Sequence, residues 1–354
     1  MTEEFMAQAC RAALRGARGA NPLVGAVLVS AEGEVLAAGH HRGAGSLHAE
    51  RDVLEQVLSG PQRRDLSGAT LYSTLEPCRH QGRQPPCTGA ITAAGVGRVV
   101  YGAEDPTETA GGGAAALARG GAEVIGGVLA QGCAGLNHRW SLAQEQERPF
   151  VTVHLAQSLD AKIAAADGTS QWITSAESRA HTHLIRQRVD AILVGTNTAL
   201  VDDPRLTARD EHGSLTQRQP LRCVLGHREL PGEARLKQGR PEGDGWLHLR
   251  TRDPLEALRE LARTRHGGHP VRHVLVEGGQ SVLSAFFAAD LVDEIFAYQA
   301  PLILGSGRSS IGDIGVTTLD QAPRYELDPA DGGPVRLMGP DVCTHLQPEQ
   351  KKDH

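Results

Sequence analysis

His48, Glu50, Cys78 and Cys87 are the residues whose types and spacing could do chemistry. In "LHAERDVL" (47–54) a histidine stands two places before a glutamate, at the head of an apolar-periodic stretch. "LEPCRHQGRQPPC" (75–87) then brings two cysteines with eight residues between them. Zinc prefers nitrogen and thiolate ligands in a tetrahedron, and a zinc that takes part in a reaction keeps one vertex for water. His48, Cys78 and Cys87 supply three ligands and leave that vertex over. Two thiolates offset the charge of the ion, and water held there loses its proton far more readily than free water. Glu50 need not be a ligand; from the same first turn its carboxylate can take that proton and pass it to a leaving nitrogen. Taken singly, such residues are more often buried cysteines and a surface histidine. Together, beside a strand end and two helix starts, they point to a metal.

The elements that must position them are legible from apolar periodicity. Phe5, Met6, Ala9, Cys10 and Ala13 recur at helical spacing. Strands are expected at 23–30 and 33–41, as a hairpin, and at 69–75, 98–103 and 122–128. Helices are expected at 48–59, stopped by Gly60-Pro61, at 87–95 and at 114–119. A polar stretch, "SLAQEQERP" (141–149), marks a boundary. Beyond it strands are expected at 150–158, 190–196, 221–226, 245–250, 272–279 and 294–304, with helices at 176–188 and 281–294. The loops 209–220 and 228–243 are polar, and the charged tail from Gln347 is expected to fray. Alternating strands and helices imply α/β layers. "LVEGG" (275–279) ends a strand in Gly-Gly before a helix, where backbone N–H groups can meet a phosphate; a plain strand–helix turn would use glycine too.

At 354 residues two domains are the better expectation. An apolar share of 40% with 22% charged residues describes an ordinary globular chain. No apolar run is long enough to span a membrane, and the acidic start "MTEEF" is unlike a signal peptide. The six cysteines are scattered, which favours metal binding or burial over disulfides. A net charge of −6 argues against a nucleic-acid surface. A cytoplasmic protein acting on a small molecule, with no nucleic acid and no membrane, is the expectation.

His-x-Glu followed by Pro-Cys is a pattern of zinc deaminases, which usually place the second cysteine two residues on. The longer insert here resembles the bifunctional riboflavin-biosynthesis family, a diaminohydroxyphosphoribosylaminopyrimidine deaminase fused to a 5-amino-6-(5-phosphoribosylamino)uracil reductase. "NPLVGAV" (21–27), "HHRGAGSLHAE" (40–50) and "TLEPCRHQGRQPPC" (74–87) carry the likeness in the first half. "LNHRW" (136–140) and "RPF" (148–150) carry it at the junction. "QSLDAKIA" (157–164), "SQWITS" (170–175), "VGTNTALVDDPRLT" (194–207), "LVEGG", "PLILG" (301–305) and "MGPDV" (338–342) carry it in the second.

The resemblance implies a cytidine-deaminase-like α/β/α domain over 1–146 and a dihydrofolate-reductase-like α/β domain over 147–346, with 347–354 as tail. It implies Zn2+ on His48, Cys78 and Cys87, Glu50 as proton shuttle, and Asn21 orienting the pyrimidine. For the reductase it implies substrate contacts from Ser170, Arg186, Leu206, Arg209 and Glu277. It also implies NADPH bound by Gln157, Trp172, Thr198, Asp202, Gly279, Gln280 and Ser281. Arg186 and Arg209 suit a ribose phosphate, Lys162 is another candidate anion partner, and a homo-oligomer, a dimer by family likeness, is implied. The chain departs from the family at Ala20, in "DPTETAGGG" (105–113), at Ala161 where the family has glycine, and at Gly226-His227. The alternative is thus an active deaminase with an impaired reductase. A nucleic-acid base deaminase fits less well, because aromatic residues make up only 3% of the chain and flipped bases need stacking partners. A structural zinc scaffold would leave Glu50 without a purpose.

Overall fold

The computed structural model describes residues 1–43, 45–59, 65–81, 84–107, 110–238 and 245–350. The expected Gly60-Pro61 stop, part of the polar loop 228–243 and the last four residues lie outside them. The described residues divide into two units, Met1–Leu142 with Ala330–Gly332, and Ala143–Pro329 with Gly333–His354.

In the first unit α1 (Thr2–Ala13) precedes the hairpin of β1 (Gly25–Val29) and β2 (Val35–His40). Then come α2 (Ala49–Leu58), β3 (Thr70–Leu75), α3 (Cys87–Ala94), β4 (Arg98–Ala103), α4 (Gly113–Arg119), β5 (Glu123–Ile125), α5 (Ala130–Gly135) and α6 (His138–Glu145). The sheet runs β2-β1-β3-β4-β5, with β3, β4 and β5 parallel. Its strands are apolar on both faces because both are covered. Ala26, Leu28, Leu71 and Val99 face Val53, Leu54 and Ile91 of α2 and α3. Val27, Val29, Tyr72 and Val100 face Met6, Ala9 and Cys133 of α1 and α5. The result is three layers, with the loops after β3 and before α2 at one end of the sheet.

The second unit opens with β6 (Phe150–Ser158) and β7 (Lys162–Ala164), then α7 (Ala176–Arg188), β8 (Ala191–Gly195), α8 (Thr196–Val201), β9 (Leu221–Leu225) and β10 (Trp246–Leu249). After α9 (Pro254–Arg263) come β11 (Arg265–His266), β12 (His269–Pro270), β13 (His273–Val276), α10 (Gln280–Ala288) and β14 (Glu294–Ala300). The last elements are β15 (Arg308–Ser309), β16 (Tyr325–Leu327), β17 (Val335–Met338) and β18 (Asp341–Pro348). The main sheet has the order β10-β9-β8-β13-β6-β14-β18-β16, parallel as far as β14 and antiparallel at β18. One face packs Val151, Val153 and Leu193 on Leu258, Leu261 and Phe286 of α9 and α10. The other packs Ile192 and Val194 on Ile185 and Ala199 of α7 and α8.

Several expectations are corrected here. The chain is still ordered at Gln347, because β18 runs to Pro348 and Gln347 donates to Glu326 Oε1 at 3.0 Å. The last helix stops at Ala288, well before 294, and the chain reverses at Asp290 with φ +51°. The polar stretch 141–149 is helical as far as Glu145. Helix α9 was not anticipated, although Asp253 caps it from the side chain and Pro254 opens it.

Candidate active sites

His48 is the N-cap of α2, with extended backbone and no side-chain cap bond. An N-cap side chain normally serves the helix; this imidazole turns instead to the cysteines. Its Nδ1 lies 3.6 Å from Cys78 Sγ and 3.3 Å from Cys87 Sγ. The three donor atoms lie within 4.8 Å of one another. Cys78 follows β3 on the turn through Glu76 and Pro77. Cys87 opens α3, and its backbone N–H points at Cys78 Sγ at 3.4 Å. The turn is fixed from behind: Glu76 Oε1 accepts from the Ala114 N–H at 2.8 Å. Gly113 passes so close that a Cβ there would fall 1.7 Å from the Pro77 carbonyl.

The donor set fits a zinc ion. A hydrogen bond from the Cys87 thiol and the neighbouring imidazole pull Cys78 down to about 4, while that same hydrogen bond and burial push Cys87 up. A second thiolate cannot form beside the first until a cation lies between them. The Cys78 hydrogen bond, against burial, raises His48. Glu50 is 3% exposed, and burial holds its carboxyl above the ordinary range. Its Oε1 accepts from Ser73 Oγ at 3.3 Å and its Oε2 from the Cys87 thiol at 3.4 Å.

Asn21 Nδ2 lies 2.8 Å from His41 Nε2. His41 Nδ1 meets the Leu47 carbonyl at 2.9 Å, so that nitrogen carries the proton. Burial keeps the ring neutral, hence Nε2 accepts from Asn21 and fixes which way the carboxamide faces. The His41 ring also meets His48 edge-on at 5.4 Å. Neither His41 nor Ser73 was anticipated; only the doubled histidine of "GHH" hinted at the first.

In the second unit a cavity of about 480 Å³ opens at the ends of β6, β8 and β13. Ser170, Trp172, Arg186, Thr198, Asp202, Leu206, Arg209, Glu277 and Gly279 all line it. Three expected residues do not: Gln157 sits on β6 opposite Gln299, and Gln280 and Ser281 border a separate concavity with Ser284, Gly312 and Asp313. Arg186 is more engaged than the sequence implied. It forms a two-pronged pair with Glu277, at 2.7 and 2.5 Å, and donates to the Thr207 carbonyl at 3.1 Å. That leaves two of its five N–H donors. Arg209 donates to the Gly213 carbonyl at 2.7 Å. Lys162 turns to Ser309 Oγ at 3.0 Å and is not among the cavity residues. Gly278 serves packing, since a Cβ would fall 2.7 Å from Val282. The cavity also holds His154 and His183, which the motifs did not single out.

These two sites coincide with two family models. One, described as the cytidine and deoxycytidylate deaminase zinc-binding region, matches residues 1–103; the other, the RibD C-terminal domain, matches residues 149–330. The chain is 41% identical to the riboflavin biosynthesis protein RibD of Mycobacterium tuberculosis, over 94% of this chain and 93% of that protein. It is 36% identical to RibD of Escherichia coli, over 97% and 98%. Among solved structures it resembles Acinetobacter baumannii RibD, with TM-score 0.73, 32% identity and 99% of each chain covered. It also resembles a Thermotoga maritima diaminohydroxyphosphoribosylaminopyrimidine deaminase/5-amino-6-(5-phosphoribosylamino)uracil reductase, with TM-score 0.72, 32% identity and 98% and 99% covered. A zinc site of deaminase type in one unit and a reductase cavity in the other, matched along nearly the whole length, place this chain in the RibD family of bifunctional deaminase/reductases of riboflavin biosynthesis.

Proposed function

We propose that the chain carries out two successive steps on one pyrimidine ribotide. Residues 1–146 would deaminate 2,5-diamino-6-ribosylamino-4(3H)-pyrimidinone 5′-phosphate by hydrolysis, and the residues from 147 on would reduce its ribosyl group to ribityl with NADPH. The observation that carries the reading is the convergence of His48 Nδ1, Cys78 Sγ and Cys87 Sγ beside the buried Glu50 carboxyl.

His48, Cys78 and Cys87 would hold a zinc ion, which would supply Lewis-acid activation of water. Glu50 would take a proton from the attacking water and return it to the departing amine nitrogen. Its raised affinity for a proton suits both halves of that transfer. Ser73 holds one carboxyl oxygen, so the other does the work. Asn21, locked by His41, presents its carboxamide to the pyrimidine.

Bound NADPH supplies the hydride of the second step. Trp172, Thr198, Asp202 and Gly279, which line the cavity, would hold the dinucleotide, with Gln157, Gln280 and Ser281 contributing from outside that lining. Arg209 and the two remaining donors of Arg186 hold the ribose phosphate; Glu277 keeps the Arg186 guanidinium in place. Ser170 and Leu206 shape the sugar site. The departure at Ala161 lies outside the cavity lining, which favours a working reductase over an impaired one. By family likeness the chain would form a cytoplasmic homo-oligomer, and light scattering on the purified protein tests the oligomeric state.

The direct experiment mixes the protein with the diaminopyrimidine ribotide and follows ammonia and NADPH. Ammonia release followed by one NADPH per ribotide is expected. Release of neither product would overturn the reading.

A further inference from the structure

Of the six cysteines, Cys78 and Cys87 belong to the metal site, and Cys223 and Cys343 are buried in the cores of the second unit. The other two meet across the first unit. Cys10 on α1 and Cys133 on α5 are 123 residues apart, and their Sγ atoms lie 3.5 Å from each other. Both helices cover the same face of the sheet, over Val27, Val29, Tyr72 and Val100. Room for the inner sulfur comes from β4, where a Cβ at Gly102 would fall 2.2 Å from Cys133 Sγ.

The two thiols are not equivalent. Cys133 is fully buried, whereas Cys10 is half-buried at the margin of the cluster. A hydrogen bond from the Cys133 thiol lowers the pKa of Cys10; partial burial opposes this, and the Arg11 charge adds to it. That same bond and burial raise Cys133. A reachable sulfur of thiolate character beside a buried, protonated one is the arrangement of an attacking and a resolving cysteine. Helix α5 has only six residues, so a small shift can bring the sulfurs to the ~2.05 Å of a covalent bond.

We propose that Cys10 and Cys133 form an oxidation site, closed by hydrogen peroxide into a reversible disulfide that clamps the first unit. The Cys10 thiolate attacks one peroxide oxygen, the O–O bond breaks, and hydroxide leaves and takes up a proton. Cys10 is left as a sulfenic acid. The Cys133 sulfur then attacks the Cys10 sulfur, the S–O bond breaks, and the hydroxyl departs with the Cys133 proton as water. Two thiols thereby lose two electrons and two protons, and one peroxide becomes two waters.

The bond ties α1, at the start of the unit, to α5, near its end. All five strands lie within the closed loop, and so do His48, Glu50, Cys78 and Cys87. Closing so long a loop removes freedom from the unfolded chain. The metal donors pack with α2 and α3 on the opposite face of the sheet, so the clamp leaves them in place. Oxidation stabilises the first unit without altering its chemistry.

The test treats full-length, zinc-loaded protein with a few equivalents of hydrogen peroxide. Alkylation, digestion without reductant and mass spectrometry should then find a Cys10–Cys133 cross-linked peptide, and dithiothreitol should restore both thiols. The melting temperature of the first unit should rise by about 5–15 °C in calorimetry. Bound zinc and ammonia release should stay at the values of the reduced protein. Cys10→Ser should show neither the cross-link nor the rise. In Cys133→Ala the sulfenic acid has no resolving thiol, and dimedone should label Cys10 instead. Folded, zinc-loaded protein that formed no Cys10–Cys133 bond would overturn the proposal. So would a Cys78–Cys87 bond with zinc release in its place, or a cross-link that left the melting temperature unchanged.

Discussion

Glu50 stands in contact with one sulfur of the metal site and is 3% exposed, yet it sits outside the three-atom donor cluster. Its role separates from that of the ligands by substitution. Glu50→Gln should keep about one zinc per chain by elemental analysis while ammonia release falls about 10²–10⁴-fold. Loss of the metal in that variant would make Glu50 a ligand. Cys78→Ser should lose zinc and deamination together, because a hydroxyl is a far poorer zinc donor than a thiolate. NADPH oxidation on supplied intermediate should survive that change, and full deamination by the zinc-free protein would refute the metal assignment. The ligands were legible from residue type and spacing, since zinc chemistry constrains both. His41 and Ser73 were not, because a second layer of contacts leaves no spacing rule: Ser73 reaches Glu50 only through the packing of β3 under α2.

At the scale of elements, strand and helix positions followed the apolar pattern closely wherever an element is buried on a face. β4 and β6 lie where expected, and α7 spans Ala176–Arg188 with Ser175 as its cap. The turn between β6 and β7 is a different case. Ala161 adopts φ +58°, as the comparison with a glycine at this place implied. The turn is held by Asp160, which accepts from Ser158 Oγ and from the Leu304 and Gly305 N–H groups; these bonds keep its carboxyl at about 2. An alanine there costs on the order of 1 kcal/mol. Ala161→Gly should therefore raise the melting temperature by about 2–4 °C in calorimetry. A lower melting temperature would mean that the lost side chain outweighs the relief.

His273, on β13, is 3% exposed, and burial lowers its pKa to about 3. Its Nε2 donates to Thr152 Oγ1 at 2.7 Å, and that hydroxyl donates on to Glu294 Oε2 at 2.6 Å, so the neutral ring is the fitting form. The unfolded chain binds a proton at His273 below about pH 6.5 while the folded chain does not until about pH 3. This residue's stabilising contribution is thus complete above pH 6.5 and declines through that window, by at most about 1.4 kcal/mol per pH unit. Denaturant titrations of wild type and His273→Gln from pH 7 to pH 4 should show a shallower fall in the variant. Equal slopes would show that the ring does not titrate this way.

For the molecule as a whole, the two chemistries occupy separate units with separate cores. A chain ending at Pro149 should release ammonia and oxidise no NADPH. It should also melt lower than the first unit of the intact protein, because Ala330 returns to cover Ala13 and Leu23, and Asp331 donates to the Gly16 carbonyl. Differential scanning calorimetry on the two forms decides this. An unchanged melting temperature would make the returning segment dispensable.

The main buried strands and helices around the first site, the three candidate metal donors and the presence of a second α/β half were legible in the sequence itself. Apolar periodicity reports burial directly, and zinc admits few donor types at few spacings. What only the tertiary structure decided are the contacts made across distant segments. It engaged Arg186 with Glu277, 91 residues away, where the sequence had both simply facing substrate. It turned Lys162 to Ser309, set Gln280 and Ser281 outside the main cavity, and brought His154 next to Glu277. A side chain's partner depends on sheet order and register, and neither is written in the local pattern of residues that forms each strand.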